Sequence, residues 1–199
     1  MASTPIARSP YPNVGPTRVE DGWELSSTVG DGFTISDLSR LAKWTVRAAP
    51  DGPTATALPA PGQLERIDGT LRIGGAPGDW LIVAAPGQPA GVAAATGEFV
   101  SVVDVTHGRA LLRLTGEAGR DLMSKICAVN LADRVFPNGT WLRTSIAHIV
   151  TDLARDDVGA SLSFLLHCER SASPSLLSGL LAAGAEFGVS FVGAGPAIP

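Results

Sequence analysis

Apolar positions in the second half of the chain change between helical and strand spacing several times. Leu111–Leu114 is a short apolar run typical of a strand, and apolar residues recur at three- and four-residue intervals over Ala118–Ile126. Thr115 lies where a hydroxyl could accept a hydrogen bond from the first free N–H groups of that helix. The pattern predicts a strand, a turn and an amphipathic helix capped by Thr115.

A second group of apolar positions follows the helix. Trp141–Val150 has apolar residues at strand spacing and is predicted as a strand. Over Leu162–Cys168, every second residue is apolar, and Ser163 and His167 lie between them, which predicts a strand with one buried face. Ser173, followed by a proline, predicts the start of another helix, and Gly188 predicts its end. Val189–Val192 is predicted as a last short strand.

These elements occur in the order β-α-β-β-α-β. That order is typical of the split βαβ, or ferredoxin-like, arrangement. It predicts an α+β fold in which two helices cover one face of an antiparallel sheet, so that their apolar stripes share one core.

The first half of the chain shows weaker patterns. Ile35–Lys43 is predicted as a short helix, and Pro50–Gly62 as a loop. The predicted strands are 44–47, 71–73, 80–84 and 99–105. No internal repeat and no second core is apparent, so residues 23–192 are predicted to form one domain.

The two ends of the chain look different from this domain. Residues 1–22 are rich in proline, serine and threonine without periodicity, which predicts an extended arm that orders on a partner. Residues 193–199 are predicted as a C-terminal tail.

Composition excludes several functional classes. The formal net charge of −4 argues against a nucleic-acid partner, because binding to phosphates requires a basic surface. No apolar run reaches the length of a membrane span, and the N-terminus lacks the apolar core of a signal peptide. Cys127 and Cys168 are too few for a disulfide framework or a zinc site. The composition predicts a cytoplasmic protein with reduced thiols.

The polar residues do not form a recognisable catalytic motif. His107, His148 and His167 lack metal-ligand spacing and are interpreted as hydrogen-bonded or solvated side chains. Asp104 and His107 could join a serine in a triad only on paper, so Asp104 is interpreted as a local turn cap. Gly74–Gly78 contains a proline and precedes no helix, which excludes a dinucleotide-binding loop. We therefore predict no catalytic, cofactor-binding or metal-binding residue.

Several segments nevertheless resemble one family. Asp79–Val83, Val103–Thr106, and Arg109–Leu114 with its following helix resemble the gamma subunit of heterotetrameric sarcosine oxidase. Glu169–Ser171 and Ala185–Gly188, which flank the second helix, resemble the C-terminal end of the same family. The resemblance extends over roughly residues 33–188 and rests on diffuse patterns.

The resemblance implies a fold similar to the folate-binding domain of the glycine-cleavage aminomethyltransferases. It implies a subunit without a cofactor of its own, inside a flavoenzyme that oxidatively demethylates sarcosine and passes the one-carbon unit to tetrahydrofolate. FAD, FMN, NAD, tetrahydrofolate and zinc are then expected in partner subunits. The implied partners are the alpha, beta and delta subunits, mainly alpha.

The sequence also departs from related folate enzymes. Those enzymes have a glycine-rich stretch that ends in paired aspartates, whereas the corresponding residues here, Ala147–Asp152, lack the glycines and keep only Asp152. Lys125–Cys127 lacks the glycine of the Lys-Gly-Cys motif found in related iron–sulfur maintenance proteins, so that interpretation is rejected. Two hypotheses remain: a non-catalytic subunit of an amine-oxidising complex, and a free-standing folate-dependent transferase that uses Asp152.

Overall fold

The computed structural model describes residues 5–28, 30–94 and 96–195. The strands in these residues are β1 (Ala7–Arg8), β2 (Thr17–Glu20), β3 (Trp23–Ser26), β4 (Thr34–Asp37), β5 (Ala42–Arg47), β6 (Leu64–Ile67), β7 (Thr70–Gly74), β8 (Asp79–Ala84), β9 (Ser101–Asp104), β10 (Arg109–Thr115), β11 (Trp141–Ile146), β12 (Ile149–Arg155), β13 (Ser163–Glu169) and β14 (Ser190–Ala194). The α-helices are α1 (Pro53–Thr56), α2 (Gly119–Ile126) and α3 (Ser173–Gly184), and short 3₁₀ segments flank α3.

The strands form three sheets. The largest has six strands in the order β11-β12-β13-β10-β4-β14, with β14 parallel to β4 and the other pairs antiparallel. The second has five antiparallel strands in the order β6-β7-β8-β5-β9. A small third sheet has the order β1-β3-β2. The α+β class with mixed sheets and few helices agrees with the predicted class.

Side chains alternate between the two faces of the six-stranded sheet, and both faces are buried. On β10, Leu112 and Leu114 join α2 and α3 in the main apolar core. Leu111 points the other way and packs with Leu71 and Leu165 between the two larger sheets. The strand β10 therefore contributes to two cores.

The predicted strand over residues 141–150 is wrong, because it is a hairpin of two strands. Ala147 and His148 form its two-residue turn, since Ile146 pairs with Ile149 across it. Both turn residues have positive φ angles, 48° and 68°, as in the tight hairpin turns that usually contain glycine. The order from β10 to β14 is therefore β-α-β-β-β-α-β, with one strand more than the predicted split βαβ.

Two other local predictions are wrong. Residues 35–43 form the end of β4, a turn and the start of β5 instead of a helix, because their polar side chains face inward. Lys43 is fully buried, and its Nζ donates hydrogen bonds to the carbonyl oxygens of Ser39 and Leu41, at 2.7 Å each. Thr115 does not cap α2: it lies in β10, and the residue before the helix is Ala118.

The terminal segments are more ordered than predicted. The absence of regular structure expected in residues 1–22 is wrong for β1 and β2, which pair with β3. Tyr11 is 5% exposed and packs edge-on against Phe191 of β14. Residues 193–194 of the expected tail belong to β14, and residues 196–199 lie outside the described residues. Contacts distant in sequence supply the burial that these segments cannot achieve alone.

The sequence contains no apolar run long enough to span a membrane, and the lengths of the helices can be compared with that prediction. Among the described residues, every helix falls short of the length and apolar character that a membrane crossing requires.

The hairpin turn generates a stability prediction. We expect His148→Gly to raise the free energy of unfolding by roughly 0.5–1 kcal/mol, because a left-handed backbone strains a side chain but not glycine. Ser145→Gly is the matched control, since Ser145 is an exposed residue of the same hairpin in ordinary strand conformation. Urea unfolding measures both; equal destabilisation by the two glycines would contradict the strained turn.

Candidate functional site: a cavity between the two larger sheets

A cavity of about 280 Å³ lies between the six-stranded and five-stranded sheets. Trp141 contributes an aromatic side chain, and Arg109, Arg143, Asp152 and His167 are polar groups on the side of the six-stranded sheet. Trp80 also borders the cavity, but its indole packs with Val46 and Ile82 and donates a hydrogen bond to Pro59 O. The remaining lining residues are Thr45, Ile73, Gly75, Ala76, Asp79 and Leu81. Apolar walls with a few convergent polar groups are typical of ligand pockets, and this volume is at the small end of their range.

Strand register brings the polar groups together. Arg143 on β11 is directly opposite Asp152 on β12, and Asp152 is directly opposite His167 on β13. The three side chains therefore form one cross-strand row on the face that looks toward the five-stranded sheet. Residues 9 and 15 positions away from Asp152 in sequence become its neighbours only because β11, β12 and β13 form a meander.

The Asp152 carboxylate is fully engaged by this row. Its Oδ1 accepts a hydrogen bond from Arg143 Nε at 2.6 Å, and its Oδ2 accepts one from His167 Nδ1 at 2.9 Å. Burial alone would raise the pKa of Asp152, but hydrogen bonds from His167 and Arg143 outweigh it and hold this pKa below its usual value. Asp152 is thus an ionised group with both oxygens occupied, which makes it a poor general base.

His167 is the most buried polar group of the row. Burial lowers the pKa of its imidazole, and the neighbouring Asp152 carboxylate offsets that effect only in part. The ring is therefore neutral near pH 7, with the Nδ1 proton directed at Asp152. Its Nε2 is buried without a hydrogen-bond partner among the described residues, and so is the indole Nε1 of Trp141. Two buried polar atoms on residues of one cavity indicate a place where a ligand or water could bind.

A second cluster of polar side chains lies at the other end of the same sheet face. Arg113 donates to Asp156 Oδ2 at 2.6 Å and to Ser163 Oγ at 2.9 Å, and Arg66 also contacts Asp156. Arg113 and Asp156 are both buried. This cluster holds the sheets together and does not line the cavity.

The other residues considered from the sequence lie apart from the cavity. His107 stacks on Trp23, with ring centroids 5.1 Å apart. Asp104 accepts a hydrogen bond from the backbone N–H of Thr106 at 2.8 Å, which confirms its interpretation as a turn cap. Cys127 and Cys168 are buried and free, and burial raises the pKa of Cys168 to about 11. Within the described part of the chain, no three His, Cys, Asp or Glu side chains converge as metal ligands would.

Asp152 was a candidate from the sequence, and the interpretation of His167 as a hydrogen-bonded or solvated side chain is confirmed by its hydrogen bond to Asp152, whereas Arg143 was missed. His167 is a polar residue on a strand whose two faces are both buried, so its side chain needs a hydrogen-bond partner. The alternation in the sequence suggested one buried and one solvated face, and only the second sheet reveals that the face of His167 is buried as well.

Two solved structures share the architecture. One chain of the heterotetrameric sarcosine oxidase from Corynebacterium sp. U-96, in complex with pyrrole 2-carboxylate, matches with a TM-score of 0.68 and 23% identity, over 82% of this chain and 90% of that chain. The glycine cleavage system aminomethyltransferase T from Bartonella henselae matches with a TM-score of 0.66 and 15% identity, over 89% of this chain and 55% of that chain. No family model and no curated protein sequence matches this chain.

These likenesses confirm the predicted resemblance at the level of the fold. The chain has a folate-binding-domain-like architecture, shared with a chain of a sarcosine oxidase and with part of an aminomethyltransferase.

The row of Arg143, Asp152 and His167 should stabilise the fold in a way that depends on pH. We expect Asp152→Asn to lower the free energy of unfolding by roughly 1–3 kcal/mol near neutral pH, because it removes a buried charged acceptor of two hydrogen bonds. Since folding lowers the pKa of Asp152, its stabilising effect is present above the ordinary aspartate pKa and is lost as pH falls through the folded-state value. Urea unfolding at several pH values should show the gap between wild type and variant closing in acid. Asp51→Asn, in an exposed loop, is the control, and a gap independent of pH would refute the assignment.

Proposed function

We propose that this chain is a non-catalytic subunit, of the gamma type, in a heterotetrameric flavoenzyme that oxidatively demethylates sarcosine or a similar N-methyl amine. The main support is the extent of the structural match: the fold matches 90% of a chain from a heterotetrameric sarcosine oxidase but only 55% of the aminomethyltransferase. A chain of this extent corresponds to a whole component of the first assembly and to part of the second protein.

The chemistry of the cavity supports a structural role. Asp152 has both oxygens bound by neighbouring side chains, and the neutral His167 imidazole directs its one proton at that carboxylate. The Asp152 oxygens are therefore not available as a base, and the remaining acceptor of the pair, His167 Nε2, is buried away from solvent. In the proposed complex, FAD, FMN, NAD, tetrahydrofolate and zinc are held by the alpha, beta and delta subunits, and this chain contacts mainly alpha.

Purification of the tagged chain from its natural source tests this proposal. We expect it to elute with larger flavin-bearing chains that demethylate sarcosine, while the chain expressed alone is colourless and inactive. The expected complex is stable because subunits of permanent assemblies bury large interfaces. Sarcosine demethylation by the isolated chain would refute the non-catalytic role.

The second candidate is a free-standing folate-dependent protein of the aminomethyltransferase type. One observation favours it: Asp152, the residue that corresponds to the aspartate retained from the family motif, lines a cavity together with Trp141. An aromatic wall and hydrogen-bonding atoms without partners suit a flat heterocycle. The small volume would admit a bicyclic ring but leave the rest of a folate outside.

Calorimetry with tetrahydrofolate separates the two candidates. The subunit proposal predicts no measurable heat with the isolated chain. The folate-dependent alternative predicts binding that Trp141→Ala abolishes, because this variant removes one aromatic wall, whereas Trp44→Ala, outside the cavity, leaves it unchanged. Binding that both variants retain would place the ligand elsewhere and would contradict a role for this cavity.

A further inference from the structure

Three strongly exposed apolar side chains lie within five consecutive residues at the edge of the five-stranded sheet. Phe99 is 84% exposed, Val102 42% and Val103 51%. The other exposed large apolar side chains in the described residues are isolated from one another in sequence. Scattered apolar residues are normal on a surface, but a contiguous group indicates an interaction site.

The group belongs to an edge strand whose outer side is open. Among the described residues, β9 pairs with β5 on one side and forms no ladder on the other. Folded proteins usually protect such edges with charged residues. The opposite edge of this sheet, β6, carries Glu65 and Arg66, and the edge strand β11 carries Arg143. The centre of β9 has only Val102 and Val103.

Both faces of β9 continue apolar rows of the protein. Val102 is directly opposite Val46, which is fully buried beside Trp80 and Ile82. Val103 is directly opposite Thr45 on the other face, toward the cavity. One added strand could therefore cover both valines and complete the open hydrogen-bonding edge.

The charge next to this edge restricts what can be added. Asp104 ends β9 and is exposed. Although partial burial raises the pKa of Asp104, hydrogen bonds from Thr106 and nearby cations hold it below its usual value, so the group stays ionised. Residues 98–108 contain two carboxylates and no lysine or arginine. Pairing of two copies of this strand would bring together two segments that each carry two carboxylates and no lysine or arginine, whereas a basic partner segment would match their charge.

We propose that the outer edge of β9 binds an extended apolar segment of a partner chain, with a lysine or arginine of that segment beside Asp104. The inference rests on the proposed function, since the partner is another subunit of the same complex. Binding adds a strand to the sheet: backbone hydrogen bonds hold the segment, and Val102 and Val103 select apolar side chains on its two faces.

The test uses the complex assembled with its flavin-bearing chains. We expect Val103→Lys to weaken assembly by about tenfold or more, because the lysine side chain must then be buried in the new sheet. Val150→Lys is the matched control, since Val150 is 68% exposed on the other large sheet. An unchanged thermal unfolding profile of each isolated variant shows that it is folded.

Two further measurements identify the occupant. Hydrogen exchange at amides 101–104 should slow in the wild-type complex relative to the isolated chain. Asp104→Asn should reduce the salt dependence of assembly, because the charge beside the partner's basic residue is gone while an oxygen remains to accept the Thr106 N–H.

Three outcomes would overturn the inference. If Val103→Lys assembles like wild type and the amides of β9 exchange unchanged, the edge is not the interface, although the subunit proposal survives. If wild type forms a dimer alone that Val103→Lys dissociates, the occupant is a second copy. If wild type does not assemble with flavin-bearing chains at all, both proposals fall.

Discussion

The burial of both faces of the six-stranded sheet is the constraint on which the rest of this structure depends. Helices α2 and α3 cover one face, and the five-stranded sheet covers the other. A polar side chain on the second face cannot reach bulk water freely, so it needs a partner on a neighbouring strand. The centre of that face is apolar, with Leu111 and Leu165 in contact with the second sheet.

Two polar clusters at the ends of this face follow from the constraint. The Arg113–Asp156 pair is surrounded by further donors, and the Asp152–His167 pair lies beside Arg143. The second cluster lines a cavity, which makes it the natural place to look for chemistry. Its hydrogen bonds saturate the carboxylate, however, so the same contacts that stabilise the sheet remove Asp152 as a free acid or base. A fold shared with a chain of a sarcosine oxidase and with part of an aminomethyltransferase is in this way compatible with a supporting role.

The hairpin between β11 and β12 has a left-handed turn without glycine. Left-handed turns favour glycine, yet Ala147 and His148 both have positive φ angles. The turn packs against α3: a Cβ on Gly179 would come within 2.5 Å of the Ala147 side chain. The close approach of helix and turn, together with the ladder of β11 and β12, holds the strained residues in place. The register that results sets Arg143 opposite Asp152.

The sequence by itself determined the elements with strong periodicity. The strand β10, the helices α2 and α3, and the alternation of β13 were predicted because each carries its own apolar pattern, and the α+β class follows from their order. The central strand β10 could be recognised locally because Leu111, Leu112 and Leu114 lie close together just before a helix with its own apolar periodicity.

Only the tertiary structure decided the rest. The hairpin turn at Ala147 and His148, the strands β1 and β2, and the strand conformation of residues 42–43 all depend on burial or pairing supplied by residues far away in sequence. The cavity has the same origin: His167 and Arg143 became its polar groups through strand register and a second sheet, neither of which periodicity encodes. Local patterns indicate which side of a strand is apolar. The role of a polar residue in a sheet buried on both faces depends on the element that packs against it.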